Sequence, residues 1–312
     1  MPWYGPVFWP YAYSDIFDYT FWPDGYDDGY WAYAYDDFFD GVFWGQSGPP
    51  EAYAYAAPDG QERQPAANAA GIKELCREPA GGVTAWPFAD ITKAVSPTPE
   101  QQSLLDDVKS AAQKAADVFK ASCPSANAYP LTPPGRLRAM MARLLATLQA
   151  VQTVRPPLEK FYDSLSDEQK ARFDDVGPKK DVKQAANESN DQSAGGEPPA
   201  EANNCKQPKP GLSNLPIDRI EKIVKPTDEQ DDNLANLEDA TNKAVGVMQA
   251  ACPDDTPLTP VGRLDTMSKR LQAMIDAAKI VEGPLDDFYS SLSNEQKARF
   301  NKIGREVAQK ND

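Results

Sequence analysis

The chain has 312 residues, a net charge of −15, four cysteines and no histidine. The negative charge repels phosphate backbones, so nucleic acid is not expected as a partner. Without histidine the chain lacks the commonest metal ligand and the usual acid–base group of neutral pH. The sequence also contains no phosphate-binding loop or nucleophile motif. We therefore expect a protein that is not an enzyme and that binds no cofactor or metal.

Residues 1–50 form an acidic, aromatic tail. Residues 1–45 contain 19 aromatic side chains and no Lys or Arg, interspersed with Asp, Gly and Pro. The aromatics lack helical spacing, which predicts a largely irregular segment leading into a linker over residues 51–75. Three interpretations stay open: a low-complexity spacer, a segment that attracts Lys and Arg of a partner, and contact with a membrane interface, where Trp and Tyr are common.

An internal repeat occupies most of the remaining chain. Cys76 recurs as Cys205, and the pair Cys123-Pro124 recurs at the same offset as Cys252-Pro253. Downstream motifs recur at a slightly smaller offset, so that LSDEQKARF at residues 165–173 matches LSNEQKARF at residues 292–300. We predict two tandem modules, residues 76–177 and 205–304, joined by a polar linker over residues 178–204 and followed by a C-terminal tail over residues 305–312.

The apolar residues within each module recur at helical spacing. The longest such stripe in the first copy contains Leu137, Met141, Leu144, Leu148, Val151, Leu158, Tyr162 and Leu165. An earlier helix is predicted around residues 104–119, with a counterpart in the second copy. Pro156-Pro157 and Gly283-Pro284 interrupt the long helices, so we expect a kink or a break there. The predicted fold is all-α, with two tandem helical-hairpin or bundle modules.

Four short motifs have the form of a capping box, in which a hydroxyl residue is followed three positions later by Gln. The hydroxyl caps the start of a helix, and the Gln side chain reaches back to the backbone N–H of the capping residue. The pairs are Thr98 with Gln101, Ser166 with Gln169, Thr227 with Gln230, and Ser293 with Gln296.

The two cysteines of each copy have the same spacing, from 76 to 123 and from 205 to 252. Duplication favours one disulfide per module among the three possible pairings, Cys76–Cys123 and Cys205–Cys252. Such a bond stabilises a module by roughly 4 kcal/mol in the chain-entropy model. Disulfides predict a periplasmic or otherwise extracytoplasmic protein, whose signal peptide, not visible in the sequence, we expect to have been removed or omitted. An all-thiolate zinc site bridging the copies is the alternative.

The paired boxes resemble those of the LTXXQ-motif family, which contains the Spy/CpxP-like periplasmic proteins of bacterial envelopes. The residues that carry the resemblance are Thr98, Gln101, Leu165, Ser166 and Gln169, with Thr227, Gln230, Leu292, Ser293 and Gln296 in the second copy. The resemblance implies a bent all-helical cradle, often built by two protomers, that holds unfolded proteins without ATP or signals envelope stress. Because one chain supplies two modules, it could form such a dimer internally.

Chaperone-like binding of unfolded or envelope proteins is therefore the expected function. A structural or interaction protein anchored through its aromatic tail is the alternative. The candidate protein-binding residues are two aromatic pairs and nearby methionines, chosen because Met surfaces adapt to varied partners. They are Phe161, Tyr162, Phe288, Tyr289, Met140, Met141, Met267 and Met274. Core packing is the other interpretation of the same residues.

Overall fold

A computed structural model of the chain describes residues 88–122, 132–174, 217–251 and 259–300. These residues form helices and contain no β-strand, which confirms the all-α prediction for this part of the chain. The helices of the first module are α1 (Phe88–Val95), α2 (Pro99–Ala121), α3 (Pro133–Asp163) and α4 (Asp167–Asp174). Those of the second are α5 (Ile217–Val224), α6 (Asp228–Ala250), α7 (Pro260–Ser291) and α8 (Asn294–Phe300).

The two modules repeat each other helix by helix. Helices α1 and α2 correspond to α5 and α6, and their starts are related by the same offset as the cysteines. Helices α3 and α4 correspond to α7 and α8, whose starts follow the smaller offset of the downstream motifs. The short helices α1 and α5 were not predicted, because eight residues provide only about two turns of apolar periodicity.

The long helices α3 and α7 begin in the same way. Thr132 and Thr259 are the N-caps, and their hydroxyls accept from the backbone N–H of Gly135 at 3.3 Å and of Gly262 at 3.1 Å. Proline follows each cap, where its missing N–H costs nothing because the first helical N–H groups have no partner within the helix. The repeated Leu-Thr-Pro sequence therefore fixes both starts.

Of the two outcomes predicted at the internal prolines, a kink or a break, the break is wrong. Helix α3 continues through Pro156 and Pro157, and α7 continues through Pro284. Each proline removes one hydrogen bond of its helix. Apolar neighbours that follow the prolines, Leu158 and Leu285, are fully buried, so packing against other helices stabilises the uninterrupted form.

The long helices pack in the order α2, α3, α7, α6. Helices α2 and α3 form one antiparallel hairpin, α6 and α7 form the other, and α3 lies against α7. The short helices pack in pairs, α1 with α4 and α5 with α8. Buried apolar side chains of both modules belong to one continuous core. The two modules are thus joined through their central helices.

Candidate functional site

The predicted capping boxes have the expected geometry. The backbone N–H of Thr98 donates to Gln101 Oε1 at 3.0 Å, and the N–H of Gln101 donates to the Thr98 hydroxyl at 3.3 Å. Ser166 with Gln169 and Ser293 with Gln296 repeat both bonds. The N–H of Thr227 donates to Gln230 Oε1 at 2.9 Å. Each Gln therefore closes the first turn of its helix.

The two boxes of each module also bind each other. Gln101 Nε2 donates to Gln169 Oε1 at 2.9 Å, and Gln169 Nε2 donates to Gln101 Oε1 at 2.8 Å. In the second module, Gln230 and Gln296 form the same reciprocal pair at 3.0 and 2.8 Å. Local spacing in the sequence does not predict this contact, because the partners are far apart along the chain, by 68 positions in the first module and 66 in the second.

The same amides cap the ends of other helices in their module. Gln101 Nε2 donates to the carbonyl of Ser164, and Gln230 Nε2 donates to that of Ser291, at the ends of α3 and α7. Gln169 Nε2 donates to the Val95 carbonyl, and Gln296 Nε2 to that of Lys225. Each Gln thus satisfies a helix start and a helix end together, which explains the fixed position of Gln in the motif.

The glutamate before each Gln strengthens the helix start. Hydrogen bonds from its own backbone N–H and from the Ser166 hydroxyl lower the pKa of Glu168. The same two kinds of bond lower the pKa of Glu295 in the second module, with Ser293 as the hydroxyl donor. A carboxylate at this position also suits the positive end of the helix dipole.

The KARF segment, residues 170–173 and 297–300, attaches the last helix of each module to its neighbours. Arg172 Nε donates to the Ala94 carbonyl at 2.9 Å, and Arg299 Nη2 donates to the Val224 carbonyl at 2.9 Å, at the ends of α1 and α5. These arginines were missed as contact residues. Their identical place in both copies of the motif is the signal that could have identified them.

Aromatic contacts complete the attachment. Phe173 contacts the rings of Phe161 and Tyr162, with centroids 6.2 and 6.1 Å away, and Phe300 contacts Phe288 and Tyr289 at 5.6 and 6.2 Å. The lysine of each motif lies over the tyrosine ring, at 5.2 Å in the first module and 5.5 Å in the second. The motif is therefore a structural clamp that holds α4 and α8.

The contact between α3 and α7, which we call the seam, carries charged pairs. Arg138, near the start of α3, donates to both carboxylate oxygens of Asp286, near the end of α7, at 2.8 and 3.0 Å. Arg155, further along α3, binds Asp265, near the start of α7, at 2.5 and 3.1 Å. The order of these pairs shows that the two helices run antiparallel.

Arg155 has a second partner on its own helix. Its Nη1 donates to Glu159 Oε2 at 2.8 Å, so one guanidinium joins carboxylates of both modules. Hydrogen bonding to Asp265 is the main cause that raises the pKa of Arg155 above its ordinary value. The bond to Asp265 therefore favours the charged form of the arginine.

The predicted apolar stripe borders these ion pairs. Arg138 and Glu159 directly follow the stripe residues Leu137 and Leu158, and Arg155 lies within the stripe, four residues after Val151. Leu137, Val151 and Leu158 are buried, with exposed fractions of 0, 1 and 0%. Because Arg155 lies within the stripe and reaches α7, the stripe borders the seam, although α3 also packs against α2.

The candidate protein-binding residues divide by burial. Phe161 and Phe288 lie fully inside the core, and Met267 and Met274 are 2% and 0% exposed, so none of the four is available to a partner in this conformation. These four side chains are part of the hydrophobic core. Met141, Tyr162 and Tyr289 are partly exposed against the edge of the core, and the side chain of Met140 lies outside the described part.

Cys76, Cys123, Cys205 and Cys252 all lie outside the described residues, as do the aromatic tail and the polar linker. The disulfide pairing stays a prediction. Within the four described ranges, no group of acidic or Cys side chains is arranged to hold a metal ion. Nor does any helix in those ranges have the length and apolar character needed to cross a membrane.

Comparison with known proteins gives one family. A family model described as LTXXQ motif family protein matches residues 83–177 and 213–304. Together the two matches cover more than half of the chain, and each contains the four helices of one module. No curated protein and no solved structure matches the chain.

Proposed function

Because the chain belongs to the LTXXQ motif family, we propose that it acts as a chaperone-like binding protein of the bacterial envelope. The family is generally non-catalytic and is associated with periplasmic proteins, which suggests a non-enzymatic envelope protein. The observation that carries the finer proposal is the packing of α3 against α7. Through it one chain supplies the paired helical modules that a client-holding cradle needs.

The distribution of partly exposed apolar side chains supports binding at the module surface. Met141, Tyr162 and Tyr289 each touch the core and are partly exposed, and a lysine of the motif lies over each tyrosine ring. Tyrosine combines a large apolar area with a polar tip and loses little conformational entropy when it becomes buried. These residues therefore suit transient contact with the apolar segments of an unfolded protein.

An aggregation assay tests this proposal. The full chain, at near-stoichiometric amounts and without ATP, should suppress light scattering by a chemically unfolded model protein. A Tyr162→Gln/Tyr289→Gln variant should suppress it less, whereas the matched Tyr162→Phe/Tyr289→Phe variant, which keeps the rings, should resemble the original protein. Absence of suppression by the full chain would refute the chaperone proposal.

The aromatic tail favours a second function, that of an interaction protein anchored to an envelope or membrane partner. Its 19 aromatic residues and its lack of Lys and Arg suit contact with a basic partner or with a membrane interface. Deletion of residues 1–50 separates the two functions. Loss of co-purification with an envelope partner, together with an inactive full chain in the aggregation assay, would favour the anchored protein.

A further inference from the structure

Three pairs of equivalent positions beside the seam carry charged residues in both modules. At two of the three positions the first module has Arg and the second has Asp or Glu, so the sign of the charge is reversed. At the third position both modules have a carboxylate, Glu in the first and Asp in the second. The pairs are Arg138 with Asp265, Arg155 with Glu282, and Glu159 with Asp286. A further reversal along the long helices, Lys160 against Asp287, lies at exposed positions.

The antiparallel arrangement places these six residues in two groups. One end of the seam contains Arg155, Glu159 and Asp265, which are joined by the guanidinium of Arg155. The repeat assigns Glu282, Asp286 and Arg138 to the equivalent group at the other end, where Arg138 binds Asp286. Each end therefore has one arginine and two carboxylates, although the arginine occupies a different position in each.

Pairing two copies of the same module would change the numbers of arginines and carboxylates at each end of the seam. At these three positions alone, two second modules packed in this way would place three carboxylates and no arginine at each end of the seam. Two first modules would place two arginines and one carboxylate there. If two chains joined through their first modules, their two second modules would remain unpaired. Those second modules could cover their apolar stripes against each other only by bringing the carboxylates together, and these would repel.

We propose that these charges make the seam specific for the first module packed against the second, so that each chain closes on itself. The buried stripe provides the affinity of the seam, because it removes apolar surface from water. The ion pairs are about 33–51% exposed, and exposed pairs add little affinity. Their contribution is the choice of partner, since juxtaposed like charges are strongly unfavourable.

Two variants of the full chain test the proposal. The first, Arg138→Asp/Arg155→Glu/Glu159→Asp, gives both modules the acidic set. The second adds Asp265→Arg, Glu282→Arg and Asp286→Glu, and so exchanges the two sets. Amide hydrogen exchange in α3 and α7 reports seam opening, while protection in α2 and α6 reports folding.

A matched control separates the seam charges from net charge alone. Gln149→Glu/Gln152→Glu/Lys160→Glu makes the chain as much more acidic as the first variant does, at exposed positions of α3. Because these side chains face solvent, the added carboxylates should leave the seam closed.

The all-acidic variant should exchange about tenfold or more faster than the original chain in α3 and α7, because three carboxylates then face one another at each end of the seam. Salt at about 1 M should reduce this difference, since it screens exposed charges. The exchanged variant and the control should stay within about twofold of the original rates. Original rates in the all-acidic variant, or fast exchange in the exchanged variant, would overturn the proposal.

Discussion

At the scale of single residues, the Gln of the motif has more bonds than a helix cap requires. Gln230 Oε1 accepts from the N–H of Thr227 and from Gln296, while its Nε2 donates to Gln296 and to the carbonyl of Ser291. Gln230 and Gln296 are 8% and 7% exposed. Loss of either amide therefore leaves several nearly buried polar groups without partners, which costs more than the loss of one exposed hydrogen bond.

We expect Gln296→Ala to lower the free energy of unfolding by about 2–3 kcal/mol, since it removes an amide that binds two helix ends and a second amide. Urea titration of the full chain measures this. Gln230→Ala/Gln296→Ala should cost less than the sum of the single changes because the residues share bonds. The exposed Gln272→Ala is the control, expected within about 0.5 kcal/mol of the original. Strict additivity would contradict the pairing.

Two residues hold a left-handed backbone at the ends of α1 and α5. Ser96 has φ 49° and Lys225 has φ 53°, a region that is unfavourable for side chains with a Cβ atom. We expect Lys225→Gly to raise the free energy of unfolding by up to about 1 kcal/mol, as glycine is the preferred residue at this helix end. Lys222→Gly, within α5, should instead lower it by about 1 kcal/mol. Thermal unfolding of both variants checks the contrast in sign.

The lowered pKa values of Glu168 and Glu295 predict an acid-sensitive contribution to stability. A carboxylate whose pKa is lower in the folded state contributes fully above its ordinary pKa of 4.5, and the contribution is lost as the pH falls through the lowered value. Glu168→Gln/Glu295→Gln should therefore lose less stability than the original chain when both are acidified. Unfolding midpoints from neutral pH to below the lowered pKa test this, and equal losses would contradict it.

At the scale of helices, local patterns in the sequence predicted α2, α3, α4 and their counterparts. Capping boxes and apolar stripes depend on neighbours within a few residues, so the sequence contains them directly. The continuity of α3 through Pro156 depends instead on packing against other helices, and the pairing of Gln101 with Gln169 depends on the fold of the whole module. Neither the continuity of the helix nor the pairing of the two Gln residues can be predicted from local spacing.

The last helix of each module should depend strongly on its terminal phenylalanine. Phe300 is fully buried against Phe288 and Tyr289. Phe300→Ala should lower the free energy of unfolding by about 3–5 kcal/mol, because it leaves a cavity in the core and removes the aromatic contacts. The rate of amide hydrogen exchange should then increase most in α8. The milder Phe300→Leu is the control, and unchanged protection of α8 in the alanine variant would contradict the clamp.

At the scale of the whole molecule, duplication allowed the two modules to diverge beside their shared seam. In an assembly of identical modules, every position must be compatible with its own copy. Within one chain that requirement disappears, and Asp265 can occur where the first module has Arg138. The sequence revealed the duplication, but the packing of α3 against α7 was needed to identify which charges meet.

Methyl NMR of the 34.2 kDa chain tests most directly whether its two modules pair with each other. Leu148 of α3 and its equivalent in α7, Ile275, are buried, and each lies along its helix between the ion pairs at the two ends of the seam. We expect nuclear Overhauser effects between methyl groups of these stripes in a uniformly labelled sample. An isotope-filtered experiment on mixed labelled and unlabelled chains should show none. Effects seen only between different chains, or absent from both samples, would contradict the account.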